Sequence, residues 1–188
     1  MLSLDNKMES YEIWLNGEFN RDNTALLRKE IIKSANESEE KPIIVYINSH
    51  GGYVDMLTNL LDTFDSVPNK IITVACGTAM SCGAILLSAG DVRYATPNTR
   101  MMIHKVSGMS FGNADDLKNS AAEIDRLNDK IMEILAKNCG KTMKQLNSLL
   151  KDKRDVYMSS DEAVKFGLVD KIGFPRLIEK KSFEIKLF

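Results

Sequence analysis

The fold is decided by residues 42–64, PIIVYINSHGGYVDMLTNLLDTF. The segment opens on a β-branched, largely apolar run from Ile43 to Asn48, which is typical of a strand buried on both faces of a parallel sheet. Gly51 and Gly52 then break the run. Apolar residues follow at helical spacing, at Val54, Leu57, Leu60, Leu61 and Phe64. The segment therefore predicts a strand, a tight turn and a helix.

The same alternation continues along the chain. It predicts strands at 71–76, 92–95, 101–104, 156–158 and 168–172, and helices at 81–88, 117–135, 143–150 and after the capping-box pair Ser159 and Glu162. We expect the apolar stripe of the long helix, from Leu117 to Leu135, to be core, although part of it could instead be an oligomer face. Strand–helix alternation predicts an α/β fold with a largely parallel sheet covered by helices.

Length and composition narrow the possible functions. The 188 residues predict one domain spanning 1–188, with a short N-terminal segment over 1–12. Lys and Arg number 25 against 26 Asp and Glu, so we expect neither a nucleic-acid nor a membrane partner. The three cysteines suggest no disulfide framework, and we expect no metal and no cofactor. The absence of a secretory signal pattern predicts a cytoplasmic protein.

Four polar residues could carry chemistry. A histidine base must be His50 or His104, since the chain has only two histidines. Ser81 comes where a strand leads through a turn of small residues into a helix, a geometry that can expose a nucleophile. Asp155 could orient a histidine. Taken singly, each histidine is more often structural, Ser81 is more often a helix N-cap, and Asp155 is more often a solvated carboxylate.

The neighbours of these residues leave two further points open. Gly51 and Gly52 lie at another strand-to-helix turn, where backbone N–H groups could bind an oxyanion, although an ordinary tight turn is the commoner case. Cys82 is a rival nucleophile beside Ser81, but buried structural cysteine is the more frequent outcome.

The order of the motifs is more informative than any one of them. It runs Asn48-Ser49-His50-Gly51-Gly52, then 77–87 around Ser81, Met101-Met102-Ile103-His104, Arg154-Asp155, and finally Ser159-x-x-Glu162-Ala163 with Gly167-Leu168-Val169-Asp170. Across residues 13–172 the chain resembles the proteolytic subunit of the Clp protease, a family of serine peptidases. The resemblance implies a crotonase-like spiral of ββα units with a protruding handle helix.

The resemblance also implies roles for particular residues. Ser81 matches the nucleophile, His104 the general base and Asp155 the residue that orients it. The N–H groups of Gly51 and Cys82 match the oxyanion hole. The implied contacts with an extended peptide substrate involve Gly52, Tyr53, Val54, Lys105 and Val106.

The partners implied by the resemblance are further copies of the chain and an AAA+ unfoldase. Stacked seven-membered rings would enclose a chamber for short peptides, or for unfolded proteins delivered by an AAA+ unfoldase. The chain departs from the family at His50, where proline is usual, and at Lys105-Val106, where Gln-Pro is usual. Three alternatives stay open: a catalytically silent ring subunit, an acyl-CoA enzyme of the crotonase fold, and a peptidase with a serine–lysine dyad.

Overall fold

A computed structural model describes residues 6–7, 9–151, 155–176 and 178–179. Residues 1–5 and 8 of the predicted N-terminal segment, Arg154 of the predicted Arg-Asp motif and residues 180–188 lie outside this part. The strands are β1 (Asn6–Lys7), β2 (Tyr11–Asn16), β3 (Ile43–Ser49), β4 (Ile71–Met80), β5 (Val92–Ala95), β6 (Arg100–His104), β7 (Asp155–Met158), β8 (Lys171–Ile172) and β9 (Ile178–Glu179). The helices are α1 (Arg21–Glu37), α2 (Val54–Ser66), α3 (Cys82–Ser88), α4 (Ala114–Asn138), α5 (Met143–Lys151) and α6 (Ser160–Phe166).

The main sheet is parallel except at one edge. Within the described residues, β2, β3, β4, β5 and β8 lie side by side in that order, and each pairs with its neighbour in parallel. β6 also runs parallel to β4, whereas β7 pairs with β6 in the antiparallel direction. β1 and β9 form a separate antiparallel pair. The predicted α/β fold with a largely parallel sheet is confirmed.

β3 is covered on both faces, as its continuous apolar run predicts. Ile43, Val45 and Ile47 belong to the main core, which they share with residues of α1, α2 and α3. Ile44 and Tyr46 belong to a second cluster on the opposite face. Alternate residues of a strand point to opposite faces, so this division follows from the pleat of one strand.

β4 changes partner halfway along its length. Its first half pairs with β5 from Ile72 to Ala75, and its last three residues, Thr78 to Met80, pair with β6. The register between β3 and β4 shifts in between, since Ile47 faces Ala75 but Ser49 faces Ala79. This bulge brings the end of β4 beside β6.

Two predicted strands need correction. The strand predicted to end at Cys76 continues to Met80, because β6 supplies a second partner that local sequence does not reveal. The core strand predicted over 168–172 is wrong: only Lys171–Ile172 is a strand and both residues are exposed. Leu168 and Val169 are buried as predicted. The carboxylate of Asp170, the next residue, accepts hydrogen bonds from the backbone N–H and the guanidinium of Arg93.

The long helix is core along only part of its length. Ile131 and Leu135 are buried in α4, whereas Leu117 and Ala121 near its N-terminal end are exposed. The apolar stripe therefore serves the core in its C-terminal half and faces outward in its N-terminal half. The sequence analysis also assigned no element to β2 or α1. The capping box of Ser159 and Glu162 is confirmed, and Gly167 ends α6 in a left-handed conformation.

Candidate active site

Ser81 lies at the junction between β4 and α3 in a strained backbone conformation. Its φ of 53° and ψ of −122° make it the one non-glycine residue with positive φ among the described residues. Such conformations are costly for a residue with a side chain and are concentrated at functional sites. Ser81 occupies the N-cap position of α3, yet its side chain makes no capping hydrogen bond. The ordinary N-cap interpretation of this serine therefore does not hold.

His104 contacts the serine hydroxyl directly. Nε2 of His104 lies 2.8 Å from Oγ of Ser81, a normal hydrogen-bond distance. The backbone fixes this contact, because the N–H of Ser81 donates to the carbonyl of Met102 at 2.9 Å, two residues before His104 on β6. The hydrogen bond favours His104 over a lysine as the group that could deprotonate Ser81.

Asp155 lies on the other side of the same imidazole. It is the antiparallel pairing partner of His104 across β6 and β7. Its Oδ1 is 3.5 Å from Nδ1 of His104, which is longer than an ordinary hydrogen bond, and its side chain is 42% exposed. The structure therefore brings Ser81, His104 and Asp155 together in one row, with a close serine–histidine contact and a looser histidine–aspartate contact.

The turn of Gly51 and Gly52 packs against the serine. A Cβ added to Gly51 would lie 2.7 Å from Cβ of Ser81, so only glycine lets the turn come this near. The N–H of Gly51 donates to Oγ of Ser49 at 3.0 Å in this conformation. The turn at Gly51 and Gly52 is therefore adjacent to the turn at Ser81, but the N–H of Gly51 already has an acceptor.

A cavity of about 250 Å³ opens beside Ser81 and His104. Its wall combines polar groups, among them those of Ser81 and His104, with apolar side chains that include Leu57, Ile85 and Ile131. Among the residues predicted to contact substrate, Gly52, Val54 and Val106 line this cavity. Tyr53 and Lys105 are exposed and are not part of its lining. A small cavity next to the hydroxyl of Ser81 is suited to hold one side chain of a bound molecule.

The two competing residues occupy different positions. His50 lines the mouth of the cavity and is exposed, while the hydrogen bond to Ser81 comes from His104. Cys82 is buried, with Sγ 3.3 Å from the carbonyl of Gly52. Burial raises the pKa of the Cys82 thiol, which disfavours the nucleophilic thiolate. Both observations favour Ser81 and His104 as the reacting pair.

Several contributions to this site are absent from the sequence analysis. The carbonyl of Met102 and the cavity wall formed by Ile85 and Ile131 have no motif of their own. Ile131 is recognisable only as one member of the apolar stripe of α4. The described residues contain no group of three or more His, Cys, Asp or Glu placed to hold a metal ion. None of their helices has the length and apolar character needed to cross a membrane.

The comparisons with known proteins agree with this geometry. A family model described as Clp protease matches residues 3–176. The ATP-dependent Clp protease proteolytic subunit 1 of Leifsonia xyli subsp. xyli (strain CTCB07) is 35% identical over 170 residues, which cover 89% of this chain and 85% of that protein. Fold, site and relatives together define a serine endopeptidase. The chain belongs to the Clp protease family.

Proposed function

We propose that the protein cleaves peptide bonds with Ser81 as nucleophile, His104 as general base and Asp155 as the residue that orients the base. The observation that carries the proposal is the 2.8 Å contact between Oγ of Ser81 and Nε2 of His104, made by a serine in a strained backbone conformation. His104 accepts the hydroxyl proton as Oγ attacks the carbonyl, and returns it to the leaving amine. Water then releases the acyl group by the same route.

The oxyanion needs N–H donors near Ser81. The N–H of Cys82, the first residue of α3, is one proposed donor. The second comes from the glycine turn. Because the N–H of Gly51 donates to Ser49, Gly51 can take part only after that bond opens.

The peptide substrate is proposed to lie extended along Gly52 to Val54, with one side chain in the cavity. The N–H of Tyr53 donates to the carbonyl of Phe19 at 2.9 Å, so it is not available to a substrate. Gly52 and Val54 are therefore the residues of this segment that support the proposal, and both line the cavity. Tyr53 and Lys105 would then contact the substrate only outside the cavity.

The working form is proposed to be a ring assembly of one-domain subunits in the cytoplasm. Exposed apolar side chains at Met109, Phe111 and Leu117 mark an outward face at the start of α4 and the loop before it, which supports burial against another copy. The name of the Leifsonia relative, which includes the words ATP-dependent, supports an AAA+ unfoldase as a partner. Light scattering should then give a particle several times heavier than the 21.1 kDa chain, and a stable monomer would contradict the assembly.

Hydrolysis of a short fluorogenic peptide tests the catalytic assignment. Ser81→Ala and His104→Ala should each lower kcat/KM by about 10⁴-fold, the scale for losing one member of a triad. Asp155→Asn should cost less than either, because Asp155 is partly exposed and lies 3.5 Å from the imidazole. Ser66→Ala, at the far end of α2 and outside the lining of the cavity, is the control for Ser81→Ala. Full activity in folded Ser81→Ala protein would overturn the proposal.

A further inference from the structure

The bulge in β4 is closed by the side chain of a residue on β3. Ile47 pairs with Ala75, and Ser49 pairs with Ala79. Between these two pairs β3 has one residue, Asn48, whereas β4 has three, Cys76, Gly77 and Thr78. A bulge leaves backbone groups of the longer strand without their ladder partners. These groups need another hydrogen-bond acceptor if the bulge is to keep one conformation.

The amide of Asn48 supplies that acceptor. Its Oδ1 accepts from the N–H of Thr78 at 3.3 Å and from the Thr78 hydroxyl at 3.2 Å. Its Nδ2 donates to Oδ1 of Asn16 on β2 at 3.4 Å. One amide therefore joins the ends of three adjacent strands, β2, β3 and β4, at the edge of the sheet that leads to the active site.

Gly77 makes room for this amide. Its φ is +87°, in the region that favours glycine, and a Cβ added there would lie 2.8 Å from Oδ1 of Asn48. The side-chain amide of Asn48 therefore lies where a side chain at position 77 would begin. Gly77 and Asn48 thus act as a matched pair, in which the glycine admits the amide and the amide holds the bulge.

The bulge decides where Ser81 lies relative to His104. Immediately after it, Thr78, Ala79 and Met80 pair with Arg100, Met101 and Met102 of β6. Ser81 follows Met80, and His104 ends β6. A change in the path of Thr78 would therefore pass along three residues of paired backbone to the Ser81 hydroxyl.

We propose that Asn48 is a positioning residue for peptide hydrolysis, whose amide fixes the β4 bulge and through it the contact between Ser81 and His104. The inference rests on the proposed function of Ser81 and His104. Asn48 itself is exposed at the strand end, and neither it nor Thr78 lines the cavity beside the nucleophile. Its effect should therefore appear in the rate of the chemical step and not in substrate binding.

The test compares Asn48→Ala with Asn48→Asp and Asn16→Ala. Asn48→Ala removes the acceptor of Thr78, and Asn48→Asp keeps an oxygen acceptor but loses the amide donor. Asn16→Ala removes only the link to β2. We expect Asn48→Ala to lower kcat on a short peptide, and the rate at which a fluorophosphonate labels Ser81, by about tenfold to a hundredfold with little change in KM. Asn48→Asp and Asn16→Ala should stay within about threefold of the unmodified protein.

A double-mutant cycle adds a second readout. Thr78→Val removes the hydroxyl donor, and its effect should largely vanish in the Asn48→Ala background, because both changes break the same contact. Three results would overturn the inference while leaving the proposed function intact: normal labelling of Ser81 in Asn48→Ala, an increase in KM at unchanged kcat, or equal loss in Asn48→Ala and Asn48→Asp. Peptide hydrolysis that survives Ser81→Ala would instead overturn the proposed function and the inference with it.

Discussion

Replacing Gly51 with alanine should disable Ser81, the proposed nucleophile, although Ser81 itself is unchanged. The new Cβ would lie 2.7 Å from Cβ of Ser81 and 3.1 Å from its Oγ. Ordinary contact begins at 3.4 Å, so the two residues must separate by about 0.7 Å. A shift of that size along the hydrogen bond would stretch the 2.8 Å contact with His104 to about 3.5 Å, beyond useful hydrogen-bond length. Misplacement on this scale can cost about a hundredfold in rate.

Gly173→Ala provides the matched control. Gly173 has a φ of +121°, close to the +109° of Gly51, but an added Cβ there meets nothing within 4 Å. Both variants suffer comparable backbone strain, of about 1–3 kcal/mol in the free energy of unfolding, and only Gly51→Ala displaces Ser81. The assay is the rate of fluorophosphonate labelling, with thermal unfolding measured alongside. If folded Gly51→Ala labels within about threefold of Gly173→Ala, the packing argument is refuted.

Three further predictions concern residues outside the reacting pair. Arg93→Ala should lower the free energy of unfolding by about 2–4 kcal/mol in urea titrations, because Arg93 pairs with Asp170 and also donates to two backbone carbonyls. A loss under about 1 kcal/mol would contradict this prediction. Burial alone would raise the pKa of Asp170, but the hydrogen bonds from Arg93 outweigh it and hold that pKa below its ordinary value of 3.8. The stabilisation from Asp170 is therefore present above that ordinary value and lost as the pH falls below it toward the folded-state pKa, and Asp170→Asn should flatten this part of the stability profile. Iodoacetamide should modify the partly exposed Cys76 before Cys82 at neutral pH, since burial raises the pKa of the Cys82 thiol. Peptide mapping that finds Cys82 reacting as fast as Cys76 would contradict the burial of Cys82.

The sequence predicts the elements whose patterns are local. The run from Ile43 to Ile47 is buried on both faces because it is continuously apolar. The capping box of Ser159 and Glu162 starts a helix because it satisfies free N–H groups of the first turn. The end of β4 is different. Its continuation to Met80 depends on β6, about twenty residues later in the chain, and no pattern within β4 encodes that partner.

The candidate site divides in the same way. The order of the motifs identifies Ser81, His104 and Asp155 as candidates through resemblance, but their proximity comes from pairing between strands. Asp155 faces His104 because β6 and β7 are antiparallel in one register, which the spacing of the two residues does not reveal. The positive φ of Ser81 is likewise a product of the fold, since serine has no local preference for that conformation.

Intact-mass analysis after fluorophosphonate treatment tests the central assignment most directly, with Ser81→Ala treated in parallel. We predict one adduct on each unmodified chain and none on Ser81→Ala, because Nε2 of His104 contacts the hydroxyl of Ser81. An adduct of equal stoichiometry on folded Ser81→Ala would contradict the account, and so would a folded unmodified chain that takes no adduct.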